Sequence, residues 1–325
     1  MALMSPLPEI AWAVATPETR RALRSAAVGR DYDVAVLEHA HVGGLAGEVA
    51  HAGAPVLLNA HNVEWTVVRE AGRRATRRRR RVRFAIDALK LRRLELHLVR
   101  RVDGIAAVSD EDADQLRATD PRGRVWVHPN GVDLEAVAWS DHVQPAGARL
   151  LMTGHLGYLP NIDAALWAAE ALMPAARRRL PDAVMTLAGR HPTEDLDPVR
   201  GQQHIRIIAN PPDISACFAA ADVFFAPLRF GSGTRIKVLE ALAAGLPVVA
   251  TPQALSGLDV EGRGLALVGR TPDELAAALE RALTDGDFRR RCAEEGRAYV
   301  AATHDWRTIA AGFEQRLVEL AGACR

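Results

Sequence analysis

"VFFAPLRFGSGTRIKVLEALAAGLPVVAT", residues 223–251, is the stretch whose reading decides the fold. A buried-strand run, VFFAPLR, leads into small residues. An apolar helical pattern follows from about Thr234, and PVVAT closes the stretch as a second buried strand. Strand, helix, strand in this order is the repeating unit of a doubly wound parallel sheet, and its ligand edge lies at the carboxyl ends of the strands. The loop sits on that edge. Gly231 and Gly233 let backbone approach a ligand closely, and Ser232 or Thr234 can cap the coming helix. Helix-start N–H groups favour an anion. Arg235 and Lys237, with Arg229 just before the loop, put cations where a helix by itself prefers acids, so the arrangement calls for a strong anion in front of it. Glu240 cannot bind phosphate and suits sugar or ribose hydroxyls. The plain alternative is a capped helix with solvent-facing Arg and Lys; position, glycines and charges together favour a phosphate site.

The same alternation extends both ways. VAVLEH (34–39), PVLLNAH (55–61), GIAAVS (104–109) and VWVHPN (125–130) read as strands, with a helix near 43–51, a long one within 65–101 and another after Ser109. IAWAVAT near the start adds at best a fifth strand. SDHVQPAGAR (140–149) is polar, holds Pro145 and Gly147, and reads as a linker. The pattern then restarts with RLLMTGHL, AVMTLAGR, HIRIIA, VFFAPLR, PVVAT and LALV as strands. The expected fold class is α/β, with two doubly wound Rossmann-like domains facing a cleft, 1–146 and 147–325. The last helix carries Trp306, Ile309, Ala310, Phe313, Leu317 and Leu320 as one apolar stripe.

Bulk properties narrow the function classes. The chain has 325 residues, 49% hydrophobic and 25% charged, with a net charge of +1, which argues against a protein-wide pull on nucleic acid. Cys217, Cys292 and Cys324 lack metal-ligand spacing and fit reduced thiols in the cytoplasm. No apolar run reaches the ~20 residues of a membrane span. Of 41 basic residues only Lys90 and Lys237 are lysine, which singles out Lys237 in the loop.

PLRFGSGTRIKVLEALAAGLPVVAT, together with HNVEW (61–65), VSDEDADQL (108–116), PNGVDLEAV (129–137), GHLGYLPNIDAALW (154–167), GRHP (189–192) and the terminal HDW helix, resembles the retaining family 4 (group 1) glycosyltransferases of GT-B fold, nearest the exopolysaccharide-type branch. The resemblance runs from about residue 30 to the end. It implies a nucleoside-diphosphate sugar as donor, a glycan or lipid-linked acceptor, and no separate cofactor. The family's donor motif holds two glutamates separated by seven residues. The second matches Glu240, expected on the ribose hydroxyls, and the first falls on Ser232, so a carboxylate that usually touches the donor sugar is missing. Many members also carry Arg and Lys after the first strand of this domain. Here that loop, GHLGYLPN with Gly154 at its head, has neither, and Arg235 and Lys237 are expected to supply the charge instead. The resemblance places His61 near the transferred sugar; read alone, it is equally a loop histidine with Asn62 as helix cap.

Such a transfer needs no strong base, because N–H groups and cations stabilise the departing diphosphate. The three Asp-x-Asp patterns lie before a strand, in a helix opening and in a polar loop, and none reads as a metal site. Glu38, His39 and His41 follow a strand end and read as polar loop residues rather than ligands, so no metal is expected. RRATRRRRRVR (73–83) reads as a solvated charge run or as a peripheral anchor on anionic lipid; without interleaved aromatics, nucleic acid is disfavoured. By comparison with the family, something on the order of 90 residues of the first domain is expected to be missing at its start, at roughly 30 residues per strand–helix pair. That would expose a sheet edge. The alternative to an active transferase is therefore a non-catalytic nucleotide-sugar-binding remnant without its acceptor half.

Overall fold

The computed structural model describes residues 5–28, 30–50, 53–120, 122–231, 233 and 235–323. The chain divides into two compact units, Met1–Pro129 with Ser232–Thr234 and Ile309–Arg325, and Asn130–Gly231 with Arg235–Thr308.

The first unit holds a parallel sheet of four strands in the order β1 (Ala35–Glu38), β2 (Val56–Ala60), β3 (Gly104–Ala107) and β4 (Val125–Val127). Leu37, Leu58, Ile105, Leu98 and Leu116 build its core. The stretch expected as a fifth strand is instead the helix Glu9–Val14, which buries Ala11 in this core beside Leu7. The long helix expected within 65–101 is two, Glu64–Arg74 and Arg78–Val99, because Ala75 turns to an extended conformation between them.

The second unit is a six-stranded parallel sheet. Its strands are β5 (Arg149–His155), β6 (Val184–Arg190), β7 (Ile205–Ala209), β8 (Val223–Ala226), β9 (Val248–Ala250) and β10 (Ala266–Val268), in the spatial order β10-β9-β8-β5-β6-β7. The chain moves outward from β5 through β6 to β7, then returns to β5's other side and moves outward through β8. The switch point therefore lies between β5 and β8, where a crevice opens beyond the strand ends. β5 and β6 run so close at their ends that a Cβ on Gly189 would stand 1.7 Å from the Gly154 carbonyl oxygen. Only glycine fits there.

The helix after β8, Ile236–Ala243, buries Val238, Leu239, Ala241, Leu242 and Ala243 in the core. Gly245 ends it in the left-handed region at φ 86°, with Gly245 N–H donating to Leu242 and Leu246 N–H to Ala241. This is the Schellman arrangement, and it aims the chain into β9.

The compact units divide after Pro129, while 146 lies inside the second unit. Residues 134–149 pack onto the second unit: buried Arg289 donates to the carbonyls of Val143 and His142, and Arg297 to those of Leu134 and Val137. Guanidinium groups thus satisfy carbonyls that polarity alone marked as a linker. Asp222 completes the clasp, accepting from the Ala146 and Arg149 N–H groups and from the Arg149 guanidinium. The final helix, Trp306–Ala323, begins in the second unit, while its residues from Ile309 count with the first, where Phe313 stacks on His128 at 4.3 Å.

Candidate functional site

The switch point of the second unit brings together Gly154, Lys237 and Glu240 from among the residues singled out in the sequence. The helix Ile236–Ala243 is apolar except for Lys237 and Glu240, which lie one turn apart on one face and are both partly buried. Lys237 Nζ donates to Asn161 Oδ1 at 2.5 Å, and a Cβ on Gly154 would meet that same ammonium at 3.0 Å. Gly154 ends β5 at φ 144°, a conformation that leaves this room and that other residues rarely adopt. Asn161 is itself fixed, its amide donating to the His155 carbonyl at 2.8 Å. The lysine is thus enclosed between the end of β5 and the helix Leu159–Trp167, with a neutral amide as its hydrogen-bond partner.

Electrostatics follow from that enclosure. Burial, and then the Arg235 charge, push Lys237 down to about 7, with Glu240 opposing. Burial raises the Glu240 carboxyl, with Lys237 opposing. Among the described residues no ion pair joins the two. Burial therefore works against the charged form of both groups, and an anion in contact would favour the ammonium.

The remaining loop residues have other placements. Gly231 and Gly233 take φ 125° and 83°, both in the region open to glycine. Arg235, expected to face the anion, is buried; it donates through Nη2 to the Gly231 carbonyl at 2.8 Å and through Nε to the Gln253 carbonyl at 3.1 Å. Gln253 Nε2 donates to the same Gly231 oxygen at 2.9 Å. Arg235 therefore clamps the loop, because two backbone carbonyls lie within its fork. It also occupies the N-cap position, without a side-chain capping bond. Arg229 forms a bidentate pair with Asp163, at 2.6 and 2.8 Å, and lies over the Trp167 ring. Its charge is balanced inside the fold. Gly233 counts with the first unit, where its N–H donates to Asp112 Oδ2 at 2.9 Å. Ser232 and Thr234 lie outside the described residues. Asn161, Asp163 and Gln253 were not singled out as site residues; GYLPN was the signal for the first, and the other two carry none.

In the first unit, His61 follows β2. Its Nε2 pairs with Glu38 Oε2 at 2.6 Å, and the Asn59 amide donates to the same oxygen at 3.0 Å. His39 lies against it, ring centroids 4.2 Å apart. The start of the helix Glu64–Arg74 is held by Glu95, which accepts from the Glu64 N–H at 2.7 Å. Burial pushes the Glu95 carboxyl up to about 8, despite those backbone hydrogen bonds. His41 is lowered by burial and by its neighbour His39.

Comparisons with known proteins agree with this architecture. Residues 147–285 match the family described as glycosyl transferases group 1, and residues 5–136 match glycosyltransferase family 4. The chain is 31% identical over 242 residues to a D-inositol 3-phosphate glycosyltransferase of Nocardiopsis dassonvillei, covering 66% of this chain and 56% of that one. It is 30% identical over 214 residues to a phosphatidyl-myo-inositol mannosyltransferase of Mycobacterium tuberculosis, covering 60% and 54%. The matched region thus spans about half the length of these curated relatives. Among solved structures, sucrose-phosphate synthase of Thermosynechococcus elongatus superposes with a TM-score of 0.74 at 17% identity, over 97% of this chain and 80% of that one. HepE of Anabaena in complex with UDP-glucose superposes at 0.67 and 16% identity, over 96% and 84%. Both halves of the chain thus match glycosyltransferase domains, and the two parallel α/β sheets have the GT-B fold of these solved neighbours.

Proposed function

We propose that this chain is a retaining glycosyltransferase that moves a sugar from a nucleoside-diphosphate sugar to a glycan or lipid-linked acceptor without needing a metal ion. The observation that carries the proposal is Lys237, enclosed at the switch point against Gly154 and held by neutral Asn161. A diphosphate there would pair with the Lys237 ammonium and favour its charged form. As the glycosidic bond lengthens, negative charge grows on the departing diphosphate, and a preorganised ammonium stabilises that charge more than it stabilises the ground state. Glu240, on the same face and reluctant to ionise, suits hydroxyls of the ribose. Arg235 contributes by holding the Gly231 loop in shape, and His61, paired with Glu38, is assigned to the sugar end of the reaction.

The solved relative carrying UDP-glucose supports the donor class, and the names of the two curated relatives support an inositol-type or lipid-linked acceptor. Membrane contact at the cytoplasmic face is assigned to residues 73–83 and the helix Arg78–Val99. Val82, Ile86 and Leu89 are 53%, 38% and 49% exposed at helical spacing beside the arginine run, an apolar stripe flanked by cations. Among the described residues no helix is long and apolar enough to cross a membrane.

The test is turnover of UDP-, GDP- and ADP-sugars, with and without inositol-phosphate and lipid acceptors, followed by NMR of the released or transferred anomer. Turnover of one donor with the anomeric configuration kept supports the proposal. Tight donor binding without turnover would favour the non-catalytic binding reading, and an inverted product would refute the retaining mechanism. Sedimentation with anionic vesicles, lost on replacing Arg78–Arg81 by serine, tests the membrane assignment.

A further inference from the structure

One cluster of the first unit lies beside His61 and is not used by the reading above. His39 and His41 lie in the turn after β1, and Glu64 opens the helix Glu64–Arg74. His39 adopts φ 70°, a left-handed backbone that costs a non-glycine residue of order 1 kcal/mol or more and that concentrates at functional sites. Its N–H is fixed by the Asn59 carbonyl at 3.0 Å. Its Nδ1 is buried and makes no hydrogen bond, while Glu64 Oε1 stands 3.5 Å away. The His41 ring stacks on that of His39 at 4.9 Å. One ligand atom from each of His39, His41 and Glu64 lies within 4.8 Å of the others.

Those distances have a chemical reading. Ligand atoms 2.0–2.1 Å from a tetrahedral zinc ion are about 3.4 Å apart. The His39–Glu64 separation already matches, and the other pairs lie within 4.8 Å. Two imidazoles and one carboxylate suit zinc, cobalt or nickel, whereas magnesium and calcium require an all-oxygen shell. Two neighbours hold the cluster in place: Glu95 accepts from the Glu64 backbone N–H, and the His61 ring, paired with Glu38, packs against that of His39.

We propose that His39, His41 and Glu64 form a binding site for a single divalent ion of the zinc class, with the fourth position left to water or an external ligand. The proposal does not rest on the donor reading, and it replaces the reading of these residues as plain loop polarity. It also gives the buried, unbonded Nδ1 of His39 a partner.

The test uses the full chain stripped with a chelator and titrated with Zn2+ by calorimetry, then with Co2+ by visible absorption. One ion per chain at micromolar or lower Kd is expected, with a cobalt spectrum of low coordination number, a raised Tm, and no comparable response to Mg2+. His41→Ala and Glu64→Gln should each weaken Zn2+ at least tenfold, while His97→Ala, on an exposed histidine, leaves it unchanged. Glu64→Gln retains shape, so it reports even if the histidine variant fails to fold. Absence of stoichiometric binding, or full affinity in both site variants, overturns the proposal.

Discussion

Donor binding should be coupled to protonation of Lys237, and the coupling can be worked out from its position. In the ligand-free chain the ammonium titrates at about 7, because burial and Arg235 disfavour its charge. A diphosphate in contact would return it towards the ordinary lysine value of about 10.4. Between these values the free protein must take up a proton to bind. Apparent affinity is then nearly flat below pH 6 and falls about tenfold per pH unit above 7. From pH 6 to pH 9 the loss is roughly 90-fold, or ~2.7 kcal/mol. At pH 8 each binding event should take up ~0.9 proton. The assay is calorimetry with a nucleotide sugar, whose doubly esterified diphosphate keeps constant charge, in buffers of different ionisation enthalpy. Lys237→Ala should flatten the profile. Affinity independent of pH in the wild type, with no proton uptake, would refute the reasoning that makes Lys237 the diphosphate's cation.

Further outcomes follow from the packing. Glu95 is neutral in the folded chain up to about pH 8 but ionises near 4.5 when unfolded, so the folded state binds more protons in that window and stability falls as pH rises through it. Glu95→Gln keeps an acceptor for the Glu64 N–H and should match the wild type at pH 4.5 yet exceed it by roughly 3–5 kcal/mol at pH 8.5 in urea unfolding. Asp222 behaves oppositely: burial would raise its carboxyl, but the Arg149 and backbone hydrogen bonds outweigh it and hold the group low. Its stabilisation is present above the unfolded value of 3.8 and lost as pH falls through the folded one. Asp222→Ala should cost about 3 kcal/mol at pH 7, with the deficit shrinking in acid. Gly189→Ala should lower Tm by roughly 6–12 °C, on the order of 3 kcal/mol, through collision with the Gly154 carbonyl. Gly154→Ala should fold and lose donor affinity instead.

The strands were legible because buried parallel strands are short β-branched runs, and all ten lie within the stretches read from the pattern. The Glu9–Val14 helix was not, since six mostly apolar residues fit either period and tertiary contact around Ala11 decides. At the site, Lys237 and Glu240 were legible as the polar pair in an apolar helix. Arg235 and Lys237 look alike in sequence, two cations at one helix start. Their roles divide only when the fold brings the Gly231 and Gln253 carbonyls to one and Gly154 to the other. The Arg229–Asp163 fork joins two elements 66 residues apart, and no local pattern announces it. The packing of residues 134–149 was hidden for the same reason: Arg289 reaches back 147 residues to His142.

The most direct measurement is calorimetric titration of the purified chain with UDP, GDP and ADP, beside folded Lys237→Ala. Binding of one nucleotide class, weakened at least tenfold (~1.4 kcal/mol) by the substitution, is the predicted result. Failure of the folded wild type to bind any of them, or equal binding by the variant, would contradict the account of the switch point as a nucleotide-sugar site.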